Sequence, residues 1–195
     1  MGTLQDMDSM TDDEIYLEVY HQIYQLYCDK ARIMYSDPFS LDNPKVWTQE
    51  LFMKLGQINE EISRTEKTFW GTIEKGKQIG KKYAVEGIAD LHGLDIFEKR
   101  VMLFLIFARL SQPRQPGYCP EQIVQILGIN NSVVERLNSL SYFSRQPSAF
   151  ITEVLLVCPR GPAVEYQINT KIMQQISALV SGEMKDLVKM EAASG

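Results

Sequence analysis

The sequence predicts a mainly α fold, in which an N-terminal helical hairpin precedes a winged helix-turn-helix with a small β-hairpin wing. Apolar side chains recur every three or four positions over two long N-terminal segments, as they do along one side of a helix. The later half shows an apolar helix, two short helices, two β-rich runs and a final amphipathic helix, in that order. We expect the helical hairpin region in residues 1–92, the winged-helix domain in residues 93–190 and a flexible tail in residues 191–195.

The first predicted helix begins with a capping box. Thr11 can accept the backbone N–H of Glu14 while the Glu14 side chain reaches back to the backbone of Thr11. An apolar stripe follows at helical spacing: Tyr16, Tyr20, Ile23, Tyr24, Tyr27, Ala31 and Met34. We expect a loop over residues 36–44, because its two prolines cannot continue a helix.

The second predicted helix begins near Lys45 and is long. Its apolar positions are close to a heptad repeat: Trp47, Leu51, Leu55, Ile58, Ile62, Thr65, Phe69 and Ile73. Such a seam suits an antiparallel partner, and the first helix is the obvious one. Three glycines, at positions 71, 76 and 80, weaken the prediction that this helix is unbroken, since each costs about 1 kcal/mol relative to alanine.

The segment "GLDIFEKRVMLFLIFARL", residues 93–110, contains eight consecutive apolar residues at 101–108. Such a run could be a membrane segment, a helix buried on all sides or a partner-binding surface. A membrane span needs about 18–20 apolar residues, so this run is too short. Asp95 as N-cap with Glu98 three residues later starts a helix, and we expect that helix to be buried in the middle of the domain.

Two short helices are predicted next, as a helix-turn-helix. Pro120 suits the first turn of one helix, and Gly128 suits its end. Ser132 and Glu135 have the spacing of a capping box for the second helix. The apolar residues that carry the helix-turn-helix spacing are Ile123, Val124, Ile126, Leu127, Ile129, Val133, Val134, Leu137 and Leu140.

A β-hairpin wing and a final helix complete the predicted domain. Residues 152–158 and 163–168 are rich in β-branched and apolar residues and flank the turn sequence Pro-Arg-Gly-Pro. The amphipathic pattern that starts at Thr170 predicts the last helix.

The sequence indicates no enzyme active site. Its two histidines, His21 and His92, lack acidic or cysteine neighbours at a metal-binding spacing, so we expect no metal and no cofactor. The segment "GTIEKGKQ", residues 71–78, spells most of a phosphate-binding loop but has glutamine where the magnesium-binding Ser/Thr belongs. It also follows a helical stripe instead of a buried strand, so we interpret the match as coincidence.

The composition predicts a cytoplasmic protein. The N-terminus is polar and acidic and has neither the basic nor the apolar region of a signal peptide. Three widely separated cysteines, Cys28, Cys119 and Cys158, include no CxxC pair and are expected to be free thiols. We therefore expect no membrane association.

DNA and protein are the two candidate partners of the winged helix. A DNA reader would use the second short helix and the wing tip, which together offer these residues: Ser132, Glu135, Arg136, Asn138, Ser139, Arg145 and Arg160. Residues 119–171 carry four basic and four acidic side chains, and the whole chain has a formal net charge of −5. Because phosphate contacts dominate DNA affinity, a neutral unit favours a protein partner over DNA.

The region from Gly80 to Lys171 resembles the winged-helix region that precedes the ATPase module in some prokaryotic AAA+ proteins. The matching features are an apolar helix headed by L-x-x-F-E (Leu94 to Glu98), the segments "PEQIVQILGI" and "VERLNSLSYF", and a wing hairpin. The resemblance implies a non-catalytic accessory domain that positions a motor, its substrate or a partner. No Walker motif follows in this chain, so no ATP-binding residue is carried over. The chain is then either part of a longer ATPase or a free-standing relative.

Two further hypotheses stay open at this point. The runner-up function is that of a winged-helix transcriptional regulator that binds DNA. A homodimer is suggested by the tyrosine stripe of the first helix and the near-heptad seam of the second, although these two stripes could instead pack on one another.

Overall fold

The computed structural model describes residues 11–37, 42–44, 46, 48–113, 117–129, 132–144, 148–160 and 163–180. The helices are α1 (Asp12–Met34), α2 (Gln49–Gln78), α3 (Ala84–Leu91), α4 (Ile96–Ser111), α5 (Pro120–Leu127), α6 (Val133–Ser144) and α7 (Thr170–Val180). The strands are β1 (Tyr35–Asp37), β2 (Asp42–Pro44), β3 (Leu155–Arg160) and β4 (Ala163–Ile168). The predicted mainly α fold with a β-hairpin after the short helices is confirmed.

The two N-terminal helices form the predicted hairpin. In the capping box of α1, the Glu14 N–H donates to Thr11 Oγ1 at 3.2 Å and the Thr11 N–H donates to Glu14 Oε2 at 2.6 Å. Every residue of the predicted α1 stripe is buried. Tyr16 contacts Phe69, whereas Tyr27, further along α1, contacts the earlier Glu66, so α1 and α2 run antiparallel. The stripes that suggested a homodimer thus pack against each other within one chain.

Helix α2 begins later than predicted and is not broken by its glycines. It begins at Gln49, with the Thr48 hydroxyl accepting from the Leu51 N–H, and it continues unbroken through Gly71 and Gly76. The Tyr83 ring occupies the space beside Gly76 that a Cβ atom would need. The chain reverses only at Gly80, whose φ of +87° is the left-handed conformation that glycine adopts freely. The seam residue Trp47 lies outside the described residues.

Helix α4 is the centre of the molecule, as predicted. Asp95 and Glu98 form both hydrogen bonds of its capping box, each at 3.0 Å. All eight apolar residues at positions 101–108 are buried. Helices α1 and α5 and strand β4 each pack against α4, so this helix is surrounded by protein.

The β-hairpin pairs from Leu155↔Ile168 at its base to Arg160↔Ala163 at its tip. The prediction that the first strand begins at position 152 is wrong, because residues 150–154 form a short π-helical turn. The Ser148 hydroxyl accepts from the Ile151 N–H, and the Ser148 carbonyl accepts from the Thr152 N–H, which stabilises that turn. Two further short strands, β1 and β2, pair antiparallel at the two ends of the predicted loop at 36–44.

Gly128 ends α5, as predicted. The conformational freedom of glycine is not the reason. Its φ is −66°, which any residue can adopt, and its N–H donates to the Val124 carbonyl at 2.9 Å. A Cβ atom at position 128 would lie 2.8 Å from that carbonyl oxygen. Glycine is therefore required by close approach of the backbone.

We expect Gly128→Ala to lower the free energy of unfolding by about 1–3 kcal/mol, because the added methyl group forces the α5 terminus to shift. Urea denaturation measures the change. Gly71→Ala is the matched control, since a Cβ atom there meets nothing within 4 Å and should stabilise the exposed helix by about 0.5–1 kcal/mol. An unchanged stability of Gly128→Ala would show that the turn has room for a methyl group.

Candidate interaction surface

Helix α6 is attached to the domain mainly through its second half. The Tyr142 hydroxyl donates to Asp95 Oδ2 at 2.6 Å, which ties α6 to the N-cap of α4. The Phe143 ring is buried, with its centroid 5.3 Å from that of Tyr166 on β4. The first half of α6 begins at Ser132, whose hydroxyl accepts from the Glu135 N–H at 3.1 Å.

The first half of α6 exposes three apolar side chains. Val133, Val134 and Leu137 have 71%, 69% and 62% of their surfaces exposed. Their apolar spacing is part of what predicted the helix-turn-helix, but only the partner residues on α5 are buried. The solvent-facing side of α6 thus carries three apolar side chains beside Arg136 and Asn138, where a surface helix is normally polar throughout.

The hairpin exposes two further apolar side chains on the face that turns toward α6. Val157 is the cross-strand partner of Tyr166, so both side chains lie on the same face of the hairpin. Val164 is two residues from Tyr166 and lies on that face too. Since the Tyr166 ring contacts α6, this is the face of the hairpin that turns toward the helix. We define the α6–wing surface as Val133, Val134, Leu137, Val157 and Val164, all of which are exposed.

The residues predicted for DNA contact are only partly brought together. Ser132 serves as the N-cap of α6, and Arg136 and Asn138 are exposed on that helix. Arg145 lies outside the described residues. Arg160 is the last residue of β3, opposite Ala163, and its side chain is not among the described ones.

A buried charge cluster, which sequence reasoning missed, fixes the turn before α6. Lys30 of α1 donates to the Gly128 carbonyl, and Arg100 of α4 donates to the Leu127 carbonyl at 2.6 Å. These carbonyls are the unpaired acceptors at the C-terminus of α5, where positive charge is favoured. Glu66 of α2 accepts from Arg100 Nε at 2.8 Å and from the Tyr27 hydroxyl. The helical hairpin therefore holds the turn that leads into α6.

One sequence signal could have revealed this cluster. Lys30 and Glu66 occupy positions within the buried stripes of α1 and α2, where a charge has no contact with water unless it is paired. Burial, together with the nearby charge of Arg100, lowers the pKa of Lys30 to about 8. Glu66 is 5% exposed, so its carboxylate depends on its hydrogen-bond donors.

A second buried carboxylate links α1, α2, α3 and α4. Glu86 of α3 accepts from Tyr16, from Lys77 and from Lys99, at 3.0, 3.2 and 2.8 Å. Burial by itself raises the pKa of Glu86, but the hydrogen bonds and charges of these partners outweigh it and lower that pKa. Its environment is that of a structural ion-pair network, with three donors directed at one carboxylate.

The rest of the described ranges shows no second kind of functional site. No cluster of three or more His, Cys, Asp or Glu side chains there has the arrangement of a metal site. The three cysteines are unpaired and partly buried. Within the same ranges, no helix combines the length and apolar character that crossing a bilayer requires.

No family model matches the chain, and neither a curated protein nor a solved structure is significantly similar to it. The function is therefore inferred from the α6–wing surface and the elements that hold it.

Proposed function

We propose that this chain is a non-catalytic protein-interaction module, with the α6–wing surface as its contact site. The observation that carries the proposal is the exposure of Val133, Val134 and Leu137 on the outer side of α6. In a DNA reader that side meets phosphates and base edges, which polar and basic side chains recognise. Apolar side chains there favour a protein partner, since exposed apolar side chains grouped on one helix are typical of protein interfaces.

The module is proposed to be a winged helix within the expected domain of residues 93–190. Helix α4, helices α5 and α6, and the β3–β4 hairpin follow one another in the order of that fold. An additional bridge pairs Tyr118, between α4 and α5, with Tyr166 of β4, and both of its hydrogen bonds are present, at 3.1 and 2.8 Å. This bridge adds a short third strand to the hairpin, which supports the assignment.

We further propose that the module accompanies an AAA+ ATPase in the cytoplasm, as its resemblance to winged-helix regions of such proteins implies. Three unpaired thiols are typical of a reducing compartment. An antibody to this region, applied to the source cells, would then detect a polypeptide much heavier than the 22.3 kDa of this chain. A native product of 22.3 kDa would overturn attachment to a motor within one polypeptide.

We expect Val134→Asp and Leu137→Asp to abolish partner capture while leaving the fold intact. Each side chain is exposed, so the free energy of unfolding should change by no more than about 0.5 kcal/mol. A charge placed in the apolar centre of an interface, in contrast, should weaken binding at least about tenfold. Thermal denaturation and quantitative capture of interacting proteins from the source cells measure the two effects.

Leu91→Asp is the matched control for this experiment. Leu91 is 74% exposed at the end of α3. Its replacement makes the same change from leucine to aspartate at a site outside the α6–wing surface. The control should capture the same proteins as the unmodified chain. Equal losses in Leu91→Asp and Leu137→Asp would contradict the assignment of the contact site.

The alternative function is that of a DNA-binding transcriptional regulator, and the exposed Arg136 on α6 is the observation that favours it. A regulator should bind duplex DNA with an affinity that falls steeply as salt rises. Arg136→Glu should then abolish binding. The interaction module should show no such binding at physiological salt.

A further inference from the structure

A groove runs along the side of α1 that faces away from α2, and it is separate from the α6–wing surface. Its first part is a shallow cavity, wide open to solvent, of about 430 Å³ between α1 and the end of α4, lined by Glu14, Leu17, Glu18, His21, Phe107, Leu110 and Ser111. A second cavity of about 510 Å³ adjoins it through Ser111 and continues along α1 to Arg32. From Glu14 to Arg32 the groove follows about 27 Å of helix.

The floor and walls of the first cavity are apolar and aromatic. The rings of His21 and Phe107 are stacked, with centroids 5.4 Å apart and planes 9° from parallel. Leu110, in the last turn of α4, is 59% exposed beside them. Leu17 packs only partly against the core. The cavity thus offers an apolar seat between two helices.

The two ends of the groove differ in charge. Glu14 and Glu18 are exposed one helical turn apart beside the apolar seat, and the described lining of that cavity includes no lysine or arginine. At the far end, the charge of Arg32 is balanced by Asp29, 2.5 Å away. The apolar seat therefore lies next to a local excess of negative charge.

We propose that this groove binds an amphipathic, basic helix of a partner protein. Apolar side chains of that helix, three to four positions apart, would sit on Leu17, Phe107 and Leu110. Its lysine or arginine residues would face Glu14 and Glu18. This is the helix-in-groove mode of recognition, with the carboxylates selecting basic partners over acidic ones.

The test uses two labelled helical peptides of about 18 residues, with leucines at positions i, i+3, i+4 and i+7. One carries lysines at the flanking positions and its twin carries glutamates at the same positions. Fluorescence anisotropy should show the lysine peptide binding at least about tenfold more tightly than the twin. Glu18→Lys should weaken the lysine peptide about tenfold and strengthen the twin, whereas Leu110→Asp should weaken the lysine peptide.

Glu61→Lys is the control for charge alone. Glu61 is exposed on α2, and its substitution changes the net charge by the same amount as Glu18→Lys. The control should leave both affinities unchanged. The proposal is overturned if Glu61→Lys weakens the lysine peptide as much as Glu18→Lys does, or if the lysine peptide does not bind below roughly 1 mM. It is also overturned if light scattering finds a dimer that Leu110→Asp dissociates, because a second copy would then occupy the groove.

Discussion

Replacing Glu66 with leucine is expected to lower the free energy of unfolding by about 3–5 kcal/mol. The carboxylate is buried and accepts hydrogen bonds from Tyr27 and Arg100. Without it, the Arg100 guanidinium and the Lys30 ammonium stay buried with no carboxylate beside them, and only neutral acceptors remain: the carbonyls at the end of α5 and the Tyr27 hydroxyl. An unbalanced buried charge costs more free energy than the burial of the leucine side chain contributes. Urea denaturation followed by circular dichroism measures the loss.

Glu61→Leu provides the matched control on the same helix. Glu61 is exposed, so its replacement should change stability by no more than about 0.5 kcal/mol. A loss below about 1 kcal/mol for Glu66→Leu would show that the cluster does not hold α1, α2 and α4 to the turn before α6.

The second expected result is a contribution of Lys30 to stability that grows as the pH rises above about 8. Burial lowers the pKa of Lys30 in the folded chain to about 8, whereas an unfolded lysine titrates near 10.4. Between these values the unfolded chain binds a proton that the folded chain has released, so raising the pH favours folding. The neutral amine still has N–H groups to donate to the Gly128 carbonyl. From pH 8 to about 9.5 the contribution of Lys30 should grow by about 1–2 kcal/mol.

Lys30→Met isolates this effect from other titrating groups. The stability of the wild type relative to the variant should increase by about 1–2 kcal/mol between pH 8 and about 9.5. Other groups oppose this effect, because burial raises the pKa of Cys28, Cys119 and Tyr24 in the folded chain. Stability falls as the unfolded thiols release their protons above about pH 8.5 and the unfolded tyrosines above about pH 10. A stability difference between the wild type and Lys30→Met that stays constant between pH 8 and about 9.5 would contradict the role given to Lys30.

The sequence was sufficient to predict the elements that depend on local patterns. Capping boxes at Thr11 and Asp95 and the stripe of α1 all appear in the structure, because spacing alone determines which side chains share a helix face. The α2 helix survives Gly71 and Gly76 because its packing against α1 outweighs the weak propensity of two residues. Helix α3, at residues 84–91, was not predicted as a separate element.

The candidate site depended on tertiary geometry that no local pattern encodes. Val133, Val134 and Leu137 have the spacing of interior residues, yet Tyr142 and Phe143 anchor α6 in an orientation that turns them outward. The cluster around Lys30 joins four helices from distant parts of the chain. Its members stood out only as charges on apolar stripes, and their partners could not be assigned without the fold.

Site-specific photo-cross-linking from position 137 tests the central proposal most directly. A benzophenone amino acid replaces Leu137, which is 62% exposed, and the native protein is irradiated in its source cells. The account predicts an adduct that protease removes and nuclease leaves intact, and no such adduct from the same group at position 91. An adduct that nuclease removes would contradict it and assign α6 to nucleic acid.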